Sequence, residues 1–431
     1  MRYLRLAFVS GLIGLGTALA AQIAQTPATP APPQVGGAPS QGPGGPGGPP
    51  QGRGRGGRAN QVQIQPGQEC PPGMSEVRPQ SCQPPEFPPP SIVDYRPRNT
   101  LVVPQHLVPK AKFPVVDYHG HPGQLINSAE GLKTLMDSLD KLNVKVMMSA
   151  NTLSGDALVR TQATIAASPY KDRVRILTGI NFNGVGPGWA EKAIAQLEAD
   201  VKAGAVGVGE IMKGFGINTR KPDGTRLHID DPALDPIWDA CARLNLPVFI
   251  HTADPSEFWQ PLDFHNERWL ELALNADRRY QSEQFPRFEE LMTERDHLFK
   301  SYPKTKFIMA HLGWHANDLG RLSKMMDEMP NLYSEVGAVL YDLGRQPRAA
   351  HDFLVKYQDR ILFGKDAYQP EEYPYYWRVF ETKDEYFDYY RDYHAFWKMY
   401  GLDLPDVVLQ KLYYKNALKL TPGIPQAGFP R

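Results

Sequence analysis

Five side chains of metal-ligand type stand at the ends of apolar runs in this chain. His119 and His121 close Val115-Val116-Asp117-Tyr118-His119-Gly120-His121, and His251 closes Pro247-Val248-Phe249-Ile250-His251. His311 closes Phe307-Ile308-Met309-Ala310-His311, and Asp366 follows Ile361-Leu362-Phe363-Gly364. A His-x-His pair on a strand puts both imidazoles on one face, because strand side chains alternate with period two. Two such imidazoles, a third from another strand and a carboxylate suit a borderline divalent ion, with Zn²⁺ the expected one. An ion with one open position lowers the pKa of a water towards ~7, which makes hydroxide available near neutral pH. A single buried histidine is an ordinary core residue; four segments that each end in a ligand-type residue ask for a common centre.

The elements that must position these residues follow from the pattern around them. From about residue 112, apolar runs at 114–119, 144–150, 174–180, 205–211, 247–252, 306–311, 332–338 and 361–365 alternate with amphipathic stretches such as Leu132-Leu135-Met136-Leu139-Leu142. The runs are Val- and Ile-rich and nearly continuous, as expected of strands buried on both faces. Eight strand-plus-helix units predict an α/β fold, a (β/α)₈ barrel, whose strand ends meet at one mouth. An open doubly wound sheet would not bring the first, fifth, sixth and eighth ends together. Two insertions interrupt the pattern, at about 254–290 and 369–403. The second is rich in Tyr, Trp and Phe, and its aromatic spacing predicts packing against the barrel or in a homo-oligomer interface, with a lid over the mouth as the alternative.

These residues carry a resemblance. Val116-Asp117-Tyr118-His119-Gly120-His121, Pro247-Val248-Phe249-Ile250-His251, Ala310-His311-Leu312-Gly313 and Arg360-Ile361-Leu362-Phe363-Gly364-Lys365-Asp366, in that order, resemble the metal-dependent amidohydrolase superfamily. The closest branch is the amidohydrolase-related (type 2) one, which includes aminocarboxymuconate-semialdehyde decarboxylase and related aryl-acid decarboxylases. The resemblance spans about 113–421. It implies that His119, His121 and His251 are metal ligands, that Asp366 contacts the metal and handles the proton of the bound water, and that His311 polarises or protonates the substrate. The sequence departs from the commoner pattern at the fourth strand, Gly207-Val208-Gly209-Glu210-Ile211-Met212-Lys213. Many members place a carbamylated lysine there and some a glutamate. Glu210 is therefore a bridge between two metals or a carboxylate that orients a ligating histidine, and one metal per chain is expected in preference to two. Lys213, His315 and Glu335 are candidates for the substrate pocket.

Two chemistries fit this set. The first is a hydrolase, in which activated water attacks an amide, ester or lactone carbonyl of a small molecule while His311 and Asp366 manage protons. The alternative is a metal-dependent non-oxidative decarboxylase (carboxy-lyase) of the same fold, which an arginine clamp on a carboxylate would favour; Arg220, Arg226, Arg268 and Arg345 are the loop candidates. A non-catalytic exported metal- or ligand-binding protein is the third reading, and the complete ligand set argues against it.

The remaining sequence bounds location and partners. Arg2 and Arg5 precede an apolar stretch, Leu6 to Leu19, that is too short to span a bilayer and ends in Ala18-Leu19-Ala20. This predicts a signal peptide over 1–20, export to the periplasm or medium, and no membrane insertion after cleavage. Residues 21–110 read as a Pro/Gly-rich linker: disordered to about 66, then extended on the surface of the domain at 111–422. Arg53, Arg55 and Arg58 lie among glycines in it, as a spacer rather than a nucleic-acid element. Lys plus Arg and Asp plus Glu each total 47 of 431 residues, so net charge gives no reason to expect a polyanionic partner. Of the three cysteines, Cys70 and Cys82 could pair in an oxidising compartment, and Cys241 sits on an apolar helix face.

Overall fold

The computed structural model describes residues 60–280 and 283–430. The expected signal peptide and the arginines at 53, 55 and 58 lie outside them. The chain divides into two units, 1–90 and 91–431.

In the first unit the described residues form a three-stranded antiparallel sheet of β1 (Val62–Gln63), β2 (Ser75–Arg78) and β3 (Ser81–Gln83), in the order β1-β3-β2. A disulfide joins Cys70 to Cys82 and buries Cys82. Residues 62–83 thus carry short strands within the stretch read from the sequence as a Pro/Gly-rich linker. So short a sheet cannot build a core of its own, and a cross-link that limits the unfolded chain takes over part of that role. Residues 91–110 contain no helix or strand.

In the second unit, eight parallel strands follow one another around a ring: β4 (Val115–His121), β5 (Val144–Leu153), β6 (Val174–Thr178), β7 (Gly207–Ile211), β8 (Val248–Ile250), β9 (Phe307–Met309), β10 (Leu332–Glu335) and an eighth strand in two pieces, β11 (Ile361–Leu362) and β12 (Asp366–Ala367). β11 pairs with β10, and β12 pairs with β4, which closes the barrel. The register sets Asp366 opposite Gly120, between the two histidines of the first strand. Between the two short ladders, Tyr118 N–H donates to Phe363 O at 2.9 Å.

The expected strands all form, and β4 is buried at every position except its last, as a strand covered on both faces should be. The helices follow from spacing and caps. Ala129–Leu142 buries Leu132, Leu135, Met136, Leu139 and Leu142, starts at Ser128, whose side chain accepts Gly131 N–H, and stops at Asn143 in the left-handed region. The second insertion opens with a helix at Tyr373–Glu381 that buries Tyr373, Tyr376, Trp377 and Phe380. The rings of Tyr373, Tyr376 and Trp377 pack on Phe363, at the break in the eighth strand, so this part of the aromatic insertion is core. No helix among the described residues is long and apolar enough to cross a membrane.

Candidate metal centre

The barrel brings His119, His121, Glu210, His251, His311 and Asp366 to one mouth. His119 Nε2 lies 3.1 Å from His121 Nε2, 3.3 Å from Glu210 Oε2 and 3.7 Å from Asp366 Oδ1. His121 Nε2 lies 3.1 Å from Glu210 Oε2 and 3.6 Å from Asp366 Oδ1. A tetrahedral ion with ligand bonds of ~2.0–2.2 Å needs donors roughly 3.3–3.6 Å apart, and the His119, His121 and Asp366 atoms, 3.1, 3.6 and 3.7 Å apart, come near that spacing. The other oxygen, Glu210 Oε1, faces the opposite way. It is 2.7 Å from His251 Nδ1 and 4.0 Å from His311 Nε2. Donor atoms within 4.8 Å of one another form two sets among the described residues, His119 with His121 and Asp366, and His119 with Glu210 and His311.

Behind the donors, Glu335 sets the tautomers. It is fully buried, accepts from His119 Nδ1 at 3.0 Å and from His311 N–H at 2.7 Å with one oxygen, and takes Gly337 N–H on the other. A neutral His119 that donates through Nδ1 turns its Nε2 lone pair towards His121 and the two carboxylates. Lone pairs converging this closely require a proton or a cation among them, and the donor types suit a divalent metal. His311 Nδ1 donates to Gly337 O at 2.8 Å, which leaves its Nε2 lone pair directed to Glu210. His251 Nε2 is buried without a hydrogen-bond partner beside these donors.

Electrostatics point the same way. Burial alone would lower the His119 pKa, but the Glu210 and Glu335 carboxylates outweigh it and hold the imidazole well above its usual range. Burial would raise Glu210, Glu335 and Asp366, yet the surrounding histidines keep all three carboxyls below the usual value. Burial, and then the neighbouring His251, push His311 down to about 4. The centre thus favours ionised carboxylates and a neutral His311.

Local sequence explains the placement. Gly209 precedes Glu210 at φ +137°, where a Cβ would come within 2.5 Å of Phe249 O. His311, Leu312, Gly313 and Trp314 all have left-handed backbone, as do Asp366, Ala253 and Ala338. Such conformations cost of order 1 kcal/mol or more at non-glycine positions and gather where function over-determines the backbone. Here they cluster at the C-terminal ends of the strands.

The three residues expected in a substrate pocket stand elsewhere. Lys213 is tied to Asp254 at 2.6 Å. His315 is buried against Arg295, with Nε2 and Nη2 3.2 Å apart. Glu335 lies beneath His119 and His311 rather than in front of them. Alternation along a strand gives the face of a side chain but not its depth, and at His315, in the link between a 3-10 turn and the next helix, it gives neither.

Sequence reasoning passed over Asp117, which accepts His119 N–H and Lys365 N–H at 3.1 Å each and Tyr373 OH at 2.6 Å, and so fastens the first strand to the eighth. Its signal was present, two residues before His119 and hence on the same face. The open side of the centre is a cleft of about 420 Å³ bounded by His121, the loop after β4, the end of β5 and Met212. No ligand-type residue marks the end of β5, so the cleft wall left no trace in the ligand pattern.

The Amidohydro_2 (amidohydrolase) family model matches residues 116–422. Comparison with curated proteins gives no significant match. Among solved structures, an uncharacterised TIM-barrel protein of Bordetella bronchiseptica is similar at TM-score 0.46 and 15% identity, over 71% of this chain and 98% of that one. The 4-oxalomesaconate hydratase of Rhodopseudomonas palustris aligns at TM-score 0.42 and 15% identity, over 72% of this chain and 95% of its own. The 5-carboxyvanillate decarboxylase of Sphingomonas paucimobilis aligns at TM-score 0.41 and 13% identity, over 72% and 99%. Since the family model covers more than two thirds of the chain, from the strand that carries His119 to the helix beyond Asp366, this protein belongs to the amidohydrolase family.

Proposed function

We propose that the protein is an exported metal-dependent hydrolase that cleaves a small-molecule amide, ester or lactone at a two-ion centre. The observation that carries the reading is the division of Glu210. Its Oε2 lies 3.3 and 3.1 Å from His119 and His121, and its Oε1 2.7 and 4.0 Å from His251 and His311. This favours Glu210 as a bridge over an orienting role, and two ions over the single ion expected from the sequence. Bound divalent metal would polarise the scissile carbonyl and supply hydroxide near neutral pH. Zn²⁺ suits the histidine-rich donors.

The chain's own residues do the rest. Asp366 is the most open of the three carboxylates at the centre, its side chain about one-third exposed, which supports assigning it the proton of the attacking water and its transfer to the leaving atom. His311, with Nδ1–H committed to Gly337 O, presents a lone pair and serves as ligand or acceptor rather than acid. Glu335 and Asp117 fix the histidines and the seam.

The decarboxylase reading wants a cation for the substrate carboxylate. Of the four candidate arginines, Arg226 pairs with Glu290 and Glu294, Arg268 with Glu271, and Arg345 with Glu267 and Asp342. Arg220 donates to the carbonyl of Ile217. None of them lines the cleft, which supports hydrolysis as the first reading.

The test is metal content by plasma mass spectrometry of the full chain and of Glu210→Gln, beside assays on esters, lactones, amides and unsaturated acids. Two ions per chain falling to one or none in the variant, with hydrolysis in the wild type, are expected. One ion retained in both proteins refutes the bridge, and CO₂ release without hydrolysis refutes the hydrolase.

A further inference from the structure

We infer that the cleft beside His121 selects an uncharged, partly apolar small molecule over one that carries a carboxylate. The inference rests on the hydrolase reading and adds the class of substrate to it. A cleft of about 420 Å³ is in the range of small-molecule sites. Apart from His121, its wall is built from Gln124, Asn127, Asn151, Thr152, Leu153 and Met212 together with small residues, and no Asp, Glu, Lys or Arg is among them.

The polar part of this wall is neutral and two-sided. A carboxamide offers both N–H donors and a carbonyl acceptor, and a hydroxyl does the same. These side chains are already held: Asn127 donates to Gln124 at 2.7 Å and accepts from Thr161 at 2.8 Å, while Asn151 donates to Gly123 O at 3.2 Å and Thr152 Oγ1 to Asn151 O at 2.7 Å. Such a surface answers amides, hydroxyls and ring oxygens. Leu153 and Met212 supply the apolar part, and Met212 is 48% exposed, an adaptable thioether at the rim.

Nothing in this wall balances an anion. The nearest lysine in sequence, Lys213, is neutralised by Asp254, which also accepts from Tyr280 at 2.7 Å. The adjoining centre contributes the carboxylates of Glu210, Asp366 and Glu335, which offset the charge of bound cations. A carboxylate on the substrate, away from the scissile bond, would exchange water for carboxamides and apolar groups without a counter-charge, and that exchange is unfavourable.

The test is binding rather than turnover. A phenyl-substituted six-membered lactam and its carboxylate derivative, neither of them readily hydrolysed, are titrated by calorimetry into the metal-loaded and metal-free full-length protein. The neutral lactam is expected to bind more tightly by about tenfold, equivalent to about 1.4 kcal/mol, in both forms. Met212→Arg, which places a cation at the rim, is expected to narrow or reverse the preference. Equal or tighter binding of the carboxylate by wild type overturns the inference, and so does binding of neither probe. Turnover of the matched lactones is followed separately, so neutral-ligand binding without hydrolysis would sink the hydrolase reading and leave the selectivity standing.

Discussion

Glu335→Gln isolates the carboxylate that holds the centre from behind. One of its oxygens accepts from His119 Nδ1 and His311 N–H at 3.0 and 2.7 Å, and the other takes Gly337 N–H. Glutamine keeps the shape but replaces one acceptor with a donor. In its better orientation it still serves the two histidine contacts and turns an NH₂ against Gly337 N–H. One buried donor then loses its acceptor, at a cost of about 1–3 kcal/mol in stability. A neutral carboxamide also supports imidazole basicity less than a carboxylate does. Loss of such an orienting partner lowers metal affinity by about 10–100-fold, or about 1.4–2.7 kcal/mol. Competition against a fluorescent zinc chelator reads the affinity, and urea unfolding of the metal-free protein reads the stability. Both should fall. An affinity equal to wild type would mean that Glu335 does not orient His119, and the division of the donors into ligands and support would have to be redrawn.

Two further outcomes follow from the same surroundings. Gly364→Ala would set a Cβ 2.7 Å from His119 Cβ and against Glu335, and overpacking of that kind costs about 1–3 kcal/mol, so both Tm and zinc affinity should drop; an unchanged melting curve would show that the contact relaxes freely. Burial, and then Arg295, push the His315 imidazole down to about 2 from an ordinary 6.5. Between those values the unfolded chain binds a proton that the folded one refuses, so stability falls as pH falls below about 6.5, by about 1.4 kcal/mol per unit. His315→Gln should lose about 2 kcal/mol less than wild type between pH 7 and pH 5 in urea titrations, and equal losses would refute the assignment.

Much of this architecture was legible because the barrel writes itself twice, in apolar runs and in the residues that end them. The strands at His119, His251, His311 and Asp366 stand where the runs predict them. Depth was not legible. Glu335 falls in register with the mouth, but the glycines at 337 and 364 let it settle beneath the histidines, and only three-dimensional crowding reveals that. The two faces of Glu210 were equally hidden, because which oxygen meets which histidine depends on the ring and not on the strand. The hairpin at 75–83 was obscured by its Pro-rich flanks, whose composition argues for an extended chain while the Cys70–Cys82 link draws it together.

The divided eighth strand also bears on how the protein comes into being. Asp117 and Lys365 are 248 residues apart, and Asp117 and Tyr373 256. Contacts between the two ends of so long a segment are late and slow to form. His119 and Asp366 are neighbours only once the two short ladders on either side of Phe363 have joined. A nascent barrel that lacks its last strand therefore presents the histidines and Glu210 without the Asp366 carboxylate. Metal uptake becomes a report of ring completion, and zinc added to a refolding chain should be captured in the slowest phase rather than the first.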